Sequence, residues 1–328
     1  DILERDGDSE EIKGLIDTAM QAGVERNLGH DYLEDIEERY SETARVTSPT
    51  PWDIINELMQ GGLGAGELGV VVAPAGIGKS WVLSSMGAYA ISQGLNVVHY
   101  TLELNEAYVG LRYDSIFTGV ESQNLKYHKE EVMEKLYDLK GNLTIKYYPT
   151  KACTVNTLSA HLKKVTTFGT KVDMVLVDYA DIMKDVNKHT EMRHALGSIY
   201  EDLRGLAGEM QIPIWTASQA NRSALDEDVI EASKVAESYA KVMTADFVIS
   251  LSRKIEDKIG NTGRFHVIKN RFGPDGLTYP AKINTNIGKI EIFEANSVQG
   301  KGVQHKINNR DNQTKAILSA RYEDLMSE

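Results

Sequence analysis

One stretch limits the fold of this chain more than any other: Val70-Val71-Val72-Ala73-Pro74-Ala75-Gly76-Ile77-Gly78-Lys79-Ser80. Three β-branched residues read as a strand, a turn of small residues follows, and residues 81–92 read as a helix. The run is a near-match to the phosphate-binding loop G-x-x-x-x-G-K-[ST], with Ala73 where the first Gly is usual. Small residues let backbone N–H groups close around phosphate oxygens, and the start of the helix adds partial positive charge. In that pattern Ala75, Gly76, Ile77 and Gly78 line the phosphates and Lys79 reaches the β- and γ-phosphates. The Ser80 hydroxyl binds Mg²⁺. The alternative is an ordinary strand–turn–helix with a chance Gly-Lys-Ser, but the apolar strand before and the long helix after favour the phosphate loop. Ala73 lies at the end of the strand, where a missing Gly costs little.

Around this unit, strands and helices alternate. The first strand is placed at 68–72, and further strands are expected at 96–102, 143–148, 174–177, 212–216, 247–251 and 265–268, with helices at 155–165 and 191–210. This order predicts an α/β fold: a mostly parallel sheet with helices on both faces. The domain is placed at 48–296, opening where Ser48-Pro49-Thr50-Pro51 breaks the chain. Residues 1–47 read as an arm. Within it Ile12, Leu15, Ile16, Ala19 and Met20 form a helical stripe that Gly23 stops. That helix packs either on its own domain or on a neighbouring subunit. Residues 297–328 are polar up to Gln313 and read as a flexible tail with a terminal helix.

A phosphate loop needs an acidic partner for its metal. Met174-Val175-Leu176-Val177-Asp178 supplies one, with Asp at the exit of a buried strand. Ligands in open α/β sheets bind at the carboxyl ends of strands, so Asp178 is expected to share a crevice with Lys79. A strand-end Asp that merely caps a turn is the alternative. Glu103 ends the second strand and suits the polarisation of an attacking water, or else caps the segment that begins at Asn105. Gln219 leaves the strand 212–216 and can sense a γ-phosphate by hydrogen bond. Lys269 and Arg271 alternate ahead of a Gly-Pro-Asp-Gly turn, the rising limb of a hairpin. They are either a solvated edge strand or an arginine finger for a neighbour's site.

Taken in order, the motifs resemble the ATPase domain of DnaB-type hexameric replicative helicases. They are the loop at 73–80, Thr101-Leu102-Glu103-Leu104 and Val177-Asp178-Tyr179. Leu203-Arg204-Gly205-Leu206-Ala207 and Ala217-Ser218-Gln219-Ala220-Asn221-Arg222 follow. The series closes with Ala245-Asp246 and Lys269-Asn270-Arg271-Phe272-Gly273. That family also carries Ala at the first loop position. Gly29-His30-Asp31, Tyr148-Pro149-Thr150, Trp215-Thr216-Ala217 and Ala236-Glu237-Ser238 are similar to the branch found in T-even-like phages.

The resemblance implies a RecA-like P-loop ATPase core with an N-terminal linker helix, using ATP and Mg²⁺ between subunits of a hexameric ring. Lys79, Ser80, Asp178, Glu103 and Gln219 come from one subunit, and Arg112 belongs with the nucleotide-binding set. Lys269 and Arg271 come from the next subunit. Single-stranded DNA passes through the ring, with 5′→3′ translocation. It is gripped by loops holding Lys184, Lys188 and Arg193, and Asn221, Arg222, Lys234 and Glu237. Ala236 stands where many cellular members have Arg, and either loop could instead be a solvated connection. Primase and a helicase loader are the implied partners. The chain begins at Asp1 and lacks the family's collar domain, so a fragment or processed form is expected.

Two other classes compete. One is a RecA-like strand-exchange ATPase that builds filaments on DNA; the other is an ATP-gated assembly or packaging partner. The run from Ser218 to Arg222, with Ala245-Asp246 after it, favours the helicase, and Glu103 argues against an inert binder. The net charge of −12 argues against non-specific nucleic-acid binding but not against a basic channel in an acidic protein. Cys153 is the only cysteine, which leaves no disulfide framework. No apolar run reaches the length of a bilayer span, so no membrane partner and a cytoplasmic setting, that of a host cell for a phage protein, are expected.

Overall fold

In the computed structural model, which describes residues 31–34, 36–41, 45–187, 189–235 and 240–309, the strand exits meet along one rim of a twisted sheet. The chain divides into two compact units, Asp1–Arg45 and Val46–Glu328. The first contributes a short helix, α1 (Ile36–Ser41). Ahead of it the Asp31 carboxylate accepts the N–H groups of Leu33 and Glu34, each at 2.9 Å. The expected linker helix around Ile12–Met20 lies outside the described residues.

The second unit opens with a small antiparallel pair, β1 (Thr47–Ser48) and β2 (Leu63–Gly64), with α2 (Asp53–Leu58) between them. Then come β3 (Leu68–Ala73), α3 (Lys79–Ser92), β4 (Val97–Thr101), α4 (Glu106–Thr118), α5 (Lys129–Tyr137) and β5 (Leu143–Tyr147). They are followed by α6 (Val155–Thr167), β6 (Met174–Asp178), α7 (Met192–Met210), β7 (Ile214–Gln219) and α8 (Ala240–Thr244). Next come β8 (Phe247–Ser252), α9 (Ile255–Gly260), β9 (Thr262–Asn270), β10 (Thr278–Asn284) and β11 (Lys289–Ile292).

Among the described residues the main sheet has the order β11-β10-β9-β8-β3-β7-β6-β4-β5. Pairing is parallel from β5 across to β8 and antiparallel from β8 to β11. β3 and β6 are buried along their whole length, which is why both read as unbroken apolar runs. Successive side chains point to opposite faces. Val70, Val72, Val98, Val175 and Val177 join one apolar layer with Leu158 and Leu162 of α6 and Leu196 and Leu203 of α7. Val71, Val97, Met174 and Leu176 join the other with Val82 and Met86 of α3 and Val109 and Tyr113 of α4. Asn105 caps α4 by accepting the Tyr108 N–H, and Gly119 ends it in the left-handed region at φ 74°.

Three features differ from the sequence reading. Lys269 does not sit on an edge strand, because β9 lies between β8 and β10. β10 and β11 went unread because they contain Pro280 and the charged Lys289 and Glu291, but β10 pairs antiparallel with β9 and β11 with β10, so the ladder rather than the side-chain pattern makes them strands. The start of the expected flexible tail is helical over residues 298–309, with Val303 and Ile307 one turn apart and buried. Residues 310–328 lie outside the described part.

Candidate nucleotide site

Parallel pairing fixes which strand ends meet. Ala73 is opposite Gln219 across β3–β7, and Thr101 is opposite Asp178 across β4–β6. Four exits therefore share one rim, although in sequence they are spread from Ala73 to Gln219. A cavity of about 280 Å³ opens there, lined by Ala75, Gly76, Gly78, Lys79, Ser80, Glu103, Arg112 and Gln219. The sequence reading missed three further lining residues: Trp81, Tyr179 and Thr285. Trp81 and Tyr179 directly follow Ser80 and Asp178, so adjacency to the motifs was their only signal. Thr285 comes from the β10–β11 turn and left no signal at all.

The loop is shaped for anions. Gly76 has φ +70°, and nothing stands within 4 Å of where a Cβ would be. Gly78 has φ +123° and precedes the first turn of α3. An L-residue at either position would be strained. Ile77 is buried and anchors the loop in the core. The Lys79 ammonium donates to the carbonyls of Ala73 and Pro74 at 3.0 and 3.1 Å and lies 5.7 Å from the Tyr179 ring centre. Burial lowers its pKa, while the carboxylates of Asp178, Asp181 and Glu103 oppose that shift.

Asp178 is buried, and burial raises its pKa against the hydrogen bond from Ser80 and the nearby Arg112 and Lys79 charges. Its Oδ1 has no hydrogen-bond partner. A buried carboxylate oxygen without a donor, beside a hydroxyl, is a donor set for a hard cation such as Mg²⁺. These residues fit a nucleotide phosphate with Mg²⁺. Arg112 packs over Trp81 at 5.3 Å and keeps Nη1 buried and unpartnered. Burial lowers its pKa, opposed by the charges of Asp178 and Glu103. Glu103 is exposed on the cavity wall, and Asn105 rather than Glu103 caps α4.

Lys269 and Arg271 are not at this cavity. Arg271 Nη1 pairs with Asp246 Oδ1 at 2.6 Å. Asp246 is buried, pairs with Arg204 at 2.6 Å and accepts the Leu68 N–H at 2.9 Å. Leu68 begins β3 and the phosphate loop follows its end, so about 17 Å of strand separates Arg271 from its own chain's loop. Lys269 donates to the carbonyls of Val242 and Met243. Burial and the Arg271 charge both lower its pKa. The segments around Arg204 and Asp246, two of those that carry the resemblance, thus meet as the clamp that holds Arg271.

Of the expected DNA-contact residues, Lys184 is exposed, and its N–H donates to Cys153 O at 2.8 Å. Arg193 pairs with Glu191 and Lys234 with Glu227, at 2.8 and 2.7 Å. Asn221 donates its N–H to Lys234 O at 2.9 Å. Arg222 opens a short 3₁₀ turn, and Lys188 and Glu237 lie outside the described residues. These two loops leave β6 and β7, which are neighbours.

Fold and site together define a RecA-like P-loop nucleotide-binding domain. Residues 49–287 match the family described as DnaB-like helicase C terminal domain, and the chain belongs to that family. It is 28% identical over 276 residues to a DnaB-like replicative helicase of Enterobacteria phage T4, covering 80% of this chain and 58% of that protein. It is 26% identical over 173 residues to the replicative DNA helicase DnaB of Helicobacter pylori, covering 51% of this chain and 35% of that one. The chain thus spans about half the length of its relatives, or less. A solved ATPase domain superposes with a TM-score of 0.67 at 17% identity, covering 88% of this chain and all of that one. A DnaB-like replicative helicase studied with primase gives a TM-score of 0.69 at 17% identity, covering 86% of this chain and 71% of that one. Among the described residues no helix is long and apolar enough to cross a membrane.

Proposed function

We propose that this chain is the motor domain of a DnaB-type replicative DNA helicase that hydrolyses ATP between subunits of a hexameric ring and moves 5′→3′ on single-stranded DNA. The observation that carries the reading is the separation within one chain. The phosphate loop, Glu103, Asp178 and Gln219 lie on one rim, while Arg271 is held near the opposite end of β3. A finger so far from its own loop suits a neighbour's site. Head-to-tail contacts of this kind close rings when the rotation between subunits closes.

The loop N–H groups and Lys79 bind the β- and γ-phosphates, and Arg112 lends charge from the cavity wall. Ser80 and Asp178 would hold a Mg²⁺ ion, which when bound would offset charge on the phosphate oxygens. Glu103 orients the attacking water and accepts its proton as the bond from the γ-phosphorus to the bridging oxygen breaks. Gln219 contacts the γ-phosphate, and Arg271 of the adjacent subunit neutralises the charge that develops there. The loops holding Lys184, Lys188 and Arg193, and Asn221, Arg222, Lys234 and Glu237, face the DNA phosphates. Residues 48–296 form the motor, and primase and a loader are the partner classes.

The test is steady-state ATP hydrolysis with and without oligo(dT), across protein concentration. Stimulation by DNA that steepens with concentration supports shared sites. Hydrolysis independent of both refutes them. Lys79→Ala is expected to cut turnover by roughly 10²-fold or more, and unchanged turnover sinks the site assignment. The strand-exchange alternative predicts filaments, not rings, in electron micrographs with nucleotide.

A further inference from the structure

Lys241 is 1% exposed, on a helix of five residues, and takes no part in the chemistry above. A buried ammonium costs several kcal/mol unless it is paired and hydrogen-bonded. Here it pairs with Asp181 Oδ1 at 2.9 Å, donates to Ser218 Oγ at 3.3 Å and lies 5.6 Å from the Tyr200 ring centre. Asp181 is the hub of the group. It also accepts the Tyr200 hydroxyl at 2.7 Å and the Gln219 N–H at 2.9 Å.

The positions of these groups in the chain give the cluster its meaning. Asp181 lies three residues beyond Asp178, in the turn Ala180–Ile182. Gln219 lines the nucleotide cavity. The chain then leaves as the loop 221–235, whose neck is closed by the Ala220–Val235 bridge and by Asn221 N–H to Lys234 O. Lys241 follows that loop and reaches back to the carboxylate that holds the Gln219 backbone. One carboxylate thus holds both Gln219, which precedes the loop in sequence, and Lys241, which follows it.

Resting on the helicase reading above, we infer that the Asp181–Lys241 pair is a positioning pair that couples the nucleotide-sensing Gln219 to the DNA-facing loop 221–235. A shift of the Gln219 backbone changes the hydrogen bond at Asp181 Oδ2. The Lys241 bond at Oδ1 carries that change to the far side of the loop. Without the pair, cavity and loop respond independently.

The test uses the full chain in four forms: parent, Lys241→Met, Lys241→Arg, and Asp181→Asn with Lys241→Met. The double variant leaves no lone buried charge and folds if the single one does not. The first readout is tryptic cleavage at Arg222 and Lys234, with and without ATPγS and Mg²⁺. The second is ATP hydrolysis with and without oligo(dT). In the parent and Lys241→Arg, nucleotide alters cleavage and oligo(dT) raises turnover, each by about fivefold or more. In Lys241→Met or the double variant both responses are expected to fall to below about twofold, with DNA-free turnover kept within about twofold of the parent. Responses equal to the parent in the double variant overturn the inference. Loss of DNA-free turnover in every variant marks the pair as purely structural and overturns it too. A parent that does not respond to oligo(dT) refutes the helicase reading itself, and the inference falls with it.

Discussion

At the residue scale, burial decides behaviour that residue type does not announce. His99 reads as one polar position in an apolar strand, yet it is fully buried, with Nδ1 2.8 Å from the Tyr113 hydroxyl. Burial, aided by the Arg112 charge, pushes its pKa down to about 3 from 6.5. The sign follows from which state takes up the proton. Below pH 6.5 the unfolded chain protonates this histidine and the folded chain does not, so stability falls as pH drops toward about 3. At pH 5 the loss from this group is about 2 kcal/mol. Urea unfolding at pH 7 and pH 5 is expected to show that loss in the parent. The double variant His99→Leu/Tyr113→Phe is expected to lose correspondingly less, and equal losses would remove His99 as the cause. The Arg271 clamp belongs to the same scale. Asp246→Asn weakens the hold on both Arg204 and Arg271. Hydrolysis is expected to drop at least tenfold while nucleotide affinity stays near the parent's, as checked by kcat against KM. A change in KM alone would detach the clamp from the finger.

At the element scale, strand pairing sets demands that no single strand displays. Gly69 lies opposite Trp215 in the β3–β7 register. A Cβ on Gly69 would press into the Trp215 ring, with Cδ2 and Cζ3 at 2.6 Å. Propensity favours Ala over Gly in a strand, but close packing opposes the exchange. Gly69→Ala is expected to destabilise by roughly 1–3 kcal/mol in denaturant unfolding, and a neutral or stabilising result would refute this packing argument. The same logic explains the hairpin after β9. Asn270 donates to Leu58 O and Pro274 O at 2.8 and 3.0 Å, so the segment carrying Arg271 is fixed from two sides. Its sequence alone allowed a solvated edge.

At the scale of the whole molecule, the cavity gathers the phosphate loop, Glu103, Arg112 and Gln219 on one rim, while Arg271 is tied to Asp246 away from it. Under the shared-site reading, Lys79→Ala and Arg271→Ala are each nearly inactive. Mixing them in equal amounts pairs an intact loop with an intact finger at roughly a quarter of interfaces. Hydrolysis by the mixture is therefore expected to rise well above that of either variant alone. No recovery would place Arg271's effect within its own subunit.

The phosphate loop, Asp178, Glu103 and Gln219 were legible in the sequence because each is a local event: a strand ends and a chemically distinct residue follows. The buried strands were equally legible, since their apolar runs state their burial directly. The order of the strands was not. It places Ala73 against Gln219 and Thr101 against Asp178, and it brings Thr285 to the rim from the far end of the chain. It also turned Arg204, Asp246 and Arg271 into one clamp and Asp181 and Lys241 into one buried pair. Such pairs join residues tens of positions apart, and a charged residue in a short polar run carries no mark of its future partner. The sequence by itself therefore determined which residues can do chemistry, because backbone conformation and local burial follow from nearest neighbours. The tertiary structure alone decided which charges are buried together, because desolvation and pairing depend on distance through space.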